Sequence, residues 1–174
     1  MTRKITEKKW TSFLSILNAI ILTVLIIWQV FLIFIDKSGF NITILQYIGY
    51  ITWIFSVYFG FIPIWVFKKK GEVIKGDSYM KTSKLVDTGT YAIIRHPQYL
   101  AGILLTISMT LWVQSWLCII FTVIVIFLIY QWTYSEDKML IKKFGKEYLE
   151  YKRKVARLNP FVGLVLYFIR TRDK

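Results

Sequence analysis

The chain has 174 residues, of which 56% are hydrophobic and 18% aromatic, and its formal net charge is +13. A water-soluble domain of this length could not hide that much apolar surface. The apolar residues are also gathered into long runs, so the composition excludes an ordinary soluble fold and predicts one integral membrane domain. The basic excess does not indicate nucleic acid, because the lysines cluster beside the apolar runs, as they do at the cytoplasmic ends of spanning helices.

The first charge-free run, Ser12 to Ile35, would extend about 36 Å as a helix, enough to cross a hydrocarbon core of about 30 Å. It is too long for the apolar core of a signal peptide and has no obvious small-residue cleavage site, so it is read as a span. A polar link, Asp36-Lys37-Ser38-Gly39, leads into a second charge-free run that ends at Phe67. Pro63, which lacks a donor, is a candidate kink near its end. Lys68-Lys69-Lys70 then opens a polar segment that reaches Arg95.

From Pro97 to Ser135, 39 residues carry no charged side chain. One helix of that length would reach about 58 Å, far beyond a bilayer. Gln114 and Ser115 sit near the middle and divide it into spans at 97–113 and 116–134, a tight antiparallel hairpin. Charge supports this count. Four Lys/Arg precede Trp10, seven lie in 68–96 and eleven follow Thr133, against one in 36–38 and none at the Gln114–Ser115 turn. Four spans place all three basic regions on one side, whereas three would put the tail outside. The expected fold is therefore all-α and polytopic, with about four transmembrane helices and cytoplasmic termini. Residues 1–67 form two N-terminal spans and 68–174 a core.

Beyond Ser135, apolar residues recur at helical spacing through Tyr148 and Tyr151 while lysines and acids take the other faces. The pattern predicts a cytoplasmic amphipathic segment with a break near Gly145. Phe161 to Ile169 is too short to span and reads as interfacial or re-entrant. Cys118 is the single cysteine and lies in an apolar run, which rules out an internal disulfide and offers no metal site.

Two polar clusters stand out. One runs from Ser83 through Tyr91 into Arg95-His96-Pro97-Gln98-Tyr99 and contains the only histidine. The other is Glu136-Asp137, at the exit of the fourth span. The hairpin returns the chain to the face it left, so His96 and Glu136 are expected near each other. Each residue also has a plain structural role: Arg95 as a snorkelling anchor, Pro97 as a helix start, Gly89 as a turn, Tyr91 and Tyr99 as an aromatic belt. Adjacent acids beside an apolar span are harder to explain without a cation, for which Arg95, Lys84 or a positively charged cofactor would serve.

The ordered set Leu85-Val86, Gly89, Tyr91, Arg95-His96-Pro97, Tyr99 and Gly102, then Glu136-Asp137, then Phe144-Gly145, Glu147-Tyr148 and Tyr151, resembles the isoprenylcysteine carboxyl methyltransferases and their prokaryotic relatives, with phospholipid methyltransferases as more distant kin. The resemblance covers residues 80–160. It implies S-adenosylmethionine as cofactor, held by Ser83, Lys84, Leu85, Val86, Tyr91, His96, Pro97, Gln98, Tyr99 and Glu136, with Glu136, Arg95 and Arg157 as candidate catalytic residues. Methyl transfer is an in-line displacement, so such an enzyme mainly positions and desolvates its reactants, and no metal is required. One departure matters. Trp132 stands where the carboxyl-methylating enzymes carry an arginine, which implies a lipophilic small-molecule or lipidated acceptor without a free carboxylate. Trp132, Arg153 and Arg157 are the candidate substrate-binding residues, the two arginines being possible substitutes for the missing charge. The rival readings are a sterol-type reductase, which shares an Arg-His-Pro-x-Tyr pattern but uses a nicotinamide cofactor, and a non-catalytic membrane scaffold. The expected partners are the acceptor and membrane lipid.

Overall fold

A computed structural model describes residues 20–36, 39–70 and 84–172. Every regular element among them is helical: α1 (Ile20–Ile35), α2 (Thr43–Lys70), a 3₁₀ turn (Gly89–Ala92), α3 (Pro97–Val113), α4 (Trp116–Phe144), α5 (Lys146–Lys154) and α6 (Pro160–Arg172). One isolated parallel bridge joins Ile94 to Ala156. Helices α2 and α4, of 28 and 29 residues, are long and apolar enough to cross a membrane, while α1 and α3 are shorter apolar helices. Residues 12–19 of the first expected span lie outside the described residues.

Outward-facing side chains explain why these helices suit lipid. Ile44, Tyr47, Ile51, Ile54, Tyr58, Phe61 and Trp65 are all exposed. They repeat at alternating spacings of three and four, which draws one continuous apolar stripe along α2. Water would penalise such a stripe, whereas hydrocarbon does not. Pro63 does not end the helix, which continues to Lys70.

The expected hairpin turn is present. Helix α3 ends at Val113 and α4 begins at Trp116. Gln114 takes a left-handed conformation, φ 56°. Its side chain closes a two-way amide pair with Ile42, accepting from the Ile42 N–H at 2.7 Å and donating to the Ile42 carbonyl at 2.9 Å. Gln114 and Ser115 are both buried, so this turn is a packed corner. The fourth span and the amphipathic segment, expected as separate elements, are one helix as far as Phe144; no breaker stands between Thr133 and Phe144 to part them. The break falls at Gly145, φ 59°, where a left-handed backbone favours glycine.

The described residues gather into two compact units. One takes residues up to Tyr50 with Thr106–Leu128; the other takes those of Ile51–Leu105 and Ile129–Lys174. In the first, Leu32, Val113 and Cys118 form a small apolar core with Ile33 and Phe121 against it. Beside it runs a polar seam. Thr122 accepts from Gln29 Nε2 at 2.8 Å, donates to the Thr106 carbonyl at 3.1 Å and lies 2.6 Å from the Thr110 hydroxyl. Such bonds hold helices together where lipid offers no competing partner.

The second unit has two apolar clusters. Val66, Val86 and Tyr91 pack with Phe67, and Tyr148, Tyr151 and Val155 pack with Leu85, Leu140, Ile141 and Phe144. Ser56 donates to the Ala101 carbonyl at 2.8 Å, tying α2 to α3. Asn159 caps α6 through its side-chain oxygen, which accepts from the Phe161 and Val162 amides at 3.0 and 3.1 Å, with Pro160 in the first helical position.

Candidate active site

The second unit carries the site, and local chemistry sets its frame. Gly89 opens the 3₁₀ turn at φ 63°, a conformation that a side chain would strain. The turn delivers Ile94, Arg95 and His96 to the start of α3, where Pro97 has no amide proton to leave unpaired. Three contacts with a segment about 60 residues later fix this approach. Arg95 N–H donates to the Ala156 carbonyl at 2.9 Å, His96 N–H to the Arg157 carbonyl at 3.2 Å, and Tyr151 OH to the Tyr91 carbonyl at 2.8 Å.

Asp137 is the hub. Only 1% of it is exposed. His96 Nε2 lies 2.9 Å from one carboxylate oxygen, and Tyr148 OH donates to the same oxygen at 2.5 Å. Arg95 Nη1 reaches the two oxygens at 3.3 and 3.2 Å. Arg157 and Lys152 stand 3.3 and 3.6 Å from the second oxygen. Charge-assisted bonds of this kind are among the stronger ones a side chain makes. The expectation that a cation accompanies the paired acids is met by Arg95, and it is Asp137 that takes it.

Glu136 turns to a different use. Its Oε2 is 3.6 Å from His96 Nδ1, an ion-pair separation too long for a hydrogen bond. That oxygen is buried and has no hydrogen-bond partner, and the same is true of Arg95 Nε. His96 thus stands between two carboxylates. Burial opposes its charged form, but the hydrogen bond to Asp137 and the neighbouring Glu136 outweigh this, and its pKa is raised above 6.5. Burial first, and then Asp137, push the Tyr148 phenol up. Burial does the same for Tyr151. Both remain donors.

Around these groups lies a cleft with about 740 Å³ of atom-free space, part of it open to solvent. Lys84, Leu85, Val86, Tyr91, Arg95, His96, Pro97, Gln98, Tyr99 and Glu136 line it, all expected from the sequence. Phe67, Leu140, Lys143, Phe144, Tyr148 and Tyr151 complete the wall. Sequence reasoning had not given these six a place in the site, although Phe144, Tyr148 and Tyr151 belong to the motif and their helical spacing was visible. Ser83 lies outside the described residues. Trp132 is half-buried, with its ring centroid 6.3 Å from that of Tyr99, a lining residue. Arg153 is exposed and is not part of the lining. Nor is Arg157, whose guanidinium lies 3.8 Å from the Tyr134 ring centroid and 5.5 Å from that of Tyr130.

Removing Asp137 would leave buried cations without a counter-charge. Asp137→Ala is expected to destabilise the protein by about 3–5 kcal/mol in denaturant unfolding of the detergent-solubilised chain; a loss below about 1 kcal/mol would refute the hub role. A raised histidine pKa stabilises the folded state fully below the unfolded value, and that contribution is lost as pH climbs through the folded one. Stability should therefore fall as pH rises from 6.5 through the raised value. His96→Gln should flatten the profile, which thermal unfolding across pH will read.

The human, mouse and rat proteins named protein-S-isoprenylcysteine O-methyltransferase are each 33% identical to this chain over 82 residues, which is 47% of the chain and 29% of the relative. The chain thus matches less than a third of the length of these relatives. Residues 31–147, more than half of the sequence, match the family of phospholipid methyltransferases. This match places the chain in the phospholipid methyltransferase family.

Proposed function

We propose that the chain transfers a methyl group from S-adenosylmethionine to a lipophilic acceptor at the cytoplasmic face of the membrane. The observation that carries this reading is a pair of unmatched buried groups in residues lining one cleft, the acceptor Glu136 Oε2 and the donor Arg95 Nε. Together they complement a zwitterion, such as the ammonium and carboxylate of an amino-acid moiety. The apolar and aromatic wall of Phe67, Leu140 and Phe144 suits a purine, with the Leu85–Val86 backbone at its edge.

Bound there, S-adenosylmethionine supplies an electrophilic methyl group on a sulfonium. The rest is positioning. Glu136 receives the ammonium. Arg95, itself fixed by Asp137, offers its unpartnered Nε–H to the carboxylate end, and His96 holds Asp137 and Glu136 in place. Tyr99 and Trp132 border the side where an acceptor would approach, and the apolar wall excludes water from the transfer. Glu136→Gln keeps the shape but removes the charge. It should weaken S-adenosylhomocysteine binding about ten- to a hundredfold with stability preserved, because a hydrogen bond to a charged group contributes about 1.5–3 kcal/mol. Calorimetry giving unchanged affinity would reject the assignment.

The acceptor follows from the charges left over. Asp137 and the Tyr134 ring engage Arg157. Arg153 is exposed, and Trp132 offers an apolar face and one donor. A prenylcysteine carboxylate would therefore find no cation lining the cleft among the candidate substrate residues Trp132, Arg153 and Arg157. It should be methylated about tenfold or more slowly than a lipophilic acceptor with a neutral head. Efficient methylation of a prenylcysteine by the parent protein, abolished in Arg157→Ala and retained in Trp132→Ala, would reverse this.

For topology we infer a single membrane domain of four spans, α1 to α4, with both termini and the cleft cytoplasmic. Support comes from the charge asymmetry of the sequence. Gln114 and Ser115 are poor reporters because they are buried, but Trp116 is 69% exposed. A cysteine introduced as Trp116→Cys should react with an impermeant reagent from the outer side; reaction from the cytoplasmic side alone would rule the hairpin orientation out.

A further inference from the structure

Helix α6 presents two unlike faces. Gly163 is buried, and a Cβ there would stand 2.3 Å from the Ile93 carbonyl oxygen, so only glycine permits the approach. Arg170 donates to the Ala92 carbonyl at 3.0 Å, with its guanidinium 5.7 Å from the Tyr167 ring centroid. This face is keyed to the backbone just before Arg95 and His96. On the opposite side Phe161, Leu164, Val165 and Phe168 are exposed, Phe161 by 78%. They recur at helical spacing and form an apolar stripe left uncovered by the described residues of the second unit.

Length and charge identify what covers the stripe. Thirteen residues extend about 20 Å, too short for a hydrocarbon core of about 30 Å. Of the two arginines in the last turn, Arg170 is engaged by the Ala92 carbonyl, while Arg172 is exposed and suits anionic headgroups. An apolar face beside terminal arginines, on a chain of a membrane family, has the form of a helix lying in the interface plane. We propose that α6 docks on an anionic lipid surface and, through Gly163 and Arg170, steadies the 92–96 segment that leads into the cleft. Lipid composition thereby tunes the site from a distance. The inference does not depend on which cofactor or acceptor the cleft takes.

The full chain in nanodiscs provides the test, with a nitroxide at Val165→Cys; the native Cys118 is buried. Docking predicts that the label is open to oxygen and shielded from a water-soluble nickel chelate in phosphatidylglycerol discs. Arg172→Gln, an exposed position, should reduce the preference for phosphatidylglycerol over phosphatidylcholine by about fivefold. Amide exchange at Arg95 and His96 should be slower in the anionic discs. Chelate access equal to that of a solvent-exposed label would overturn the docking, and spin–spin broadening between labels would assign the stripe to a second copy instead. Lipid-independent exchange at residues 95 and 96 would overturn the link to the cleft.

Discussion

A carboxylate almost wholly removed from solvent, at the end of a long apolar helix, must be surrounded by donors or the chain will not close around it. Asp137 obtains them from places far apart in sequence: Arg95 and His96 at the start of α3, Tyr148 and Lys152 on α5, and Arg157 beyond it. Each partner is worth keeping only in the presence of the others. Losing one partner leaves the remaining charges less well compensated, in an environment where an unpaired charge is costly. The cleft is in this sense a by-product of neutralising one acid.

The arrangement also divides labour between neighbours. Successive helical residues point about 100° apart. Asp137 therefore faces the arginines while Glu136 keeps an oxygen without a hydrogen-bond partner. Had both acids faced the arginines, the positive charge would have been satisfied internally and little would remain to recognise a ligand. Tyr148 strengthens the division by donating to Asp137, and burial keeps it a phenol.

Much of this was legible in the sequence, for identifiable reasons. Charge-free runs bounded by lysines mark the ends of apolar helices, and a polar Gln-Ser pair in a run too long for one helix marks the turn between α3 and α4. Antiparallel return then required His96 and Glu136 to meet, and they do. Other features were not legible. Glu136 and Asp137 look interchangeable until the helix phase is known. The Ile94–Ala156 bridge pairs residues from segments with no strand pattern, so no local periodicity announces it. Continuity of α4 beyond the apolar run was hidden because composition changes there while the helix does not. Gln29, a polar residue inside an apolar run, gave no sign of its partner Thr122, since such pairing depends on which helix faces which.

The backbone contacts between the 91–96 segment and residues 151–157 bear on the order of events during synthesis. When the ribosome has made the chain as far as Phe144, the apolar helices can already insert, yet neither Tyr148, Tyr151 nor the Ala156 and Arg157 carbonyls exist to receive or supply their bonds. Until then the acid at Asp137 has only Arg95 and His96 to satisfy it. Assembly of the cleft is thus deferred until α5 and the segment after it have been translated, later than the apolar helices that frame it.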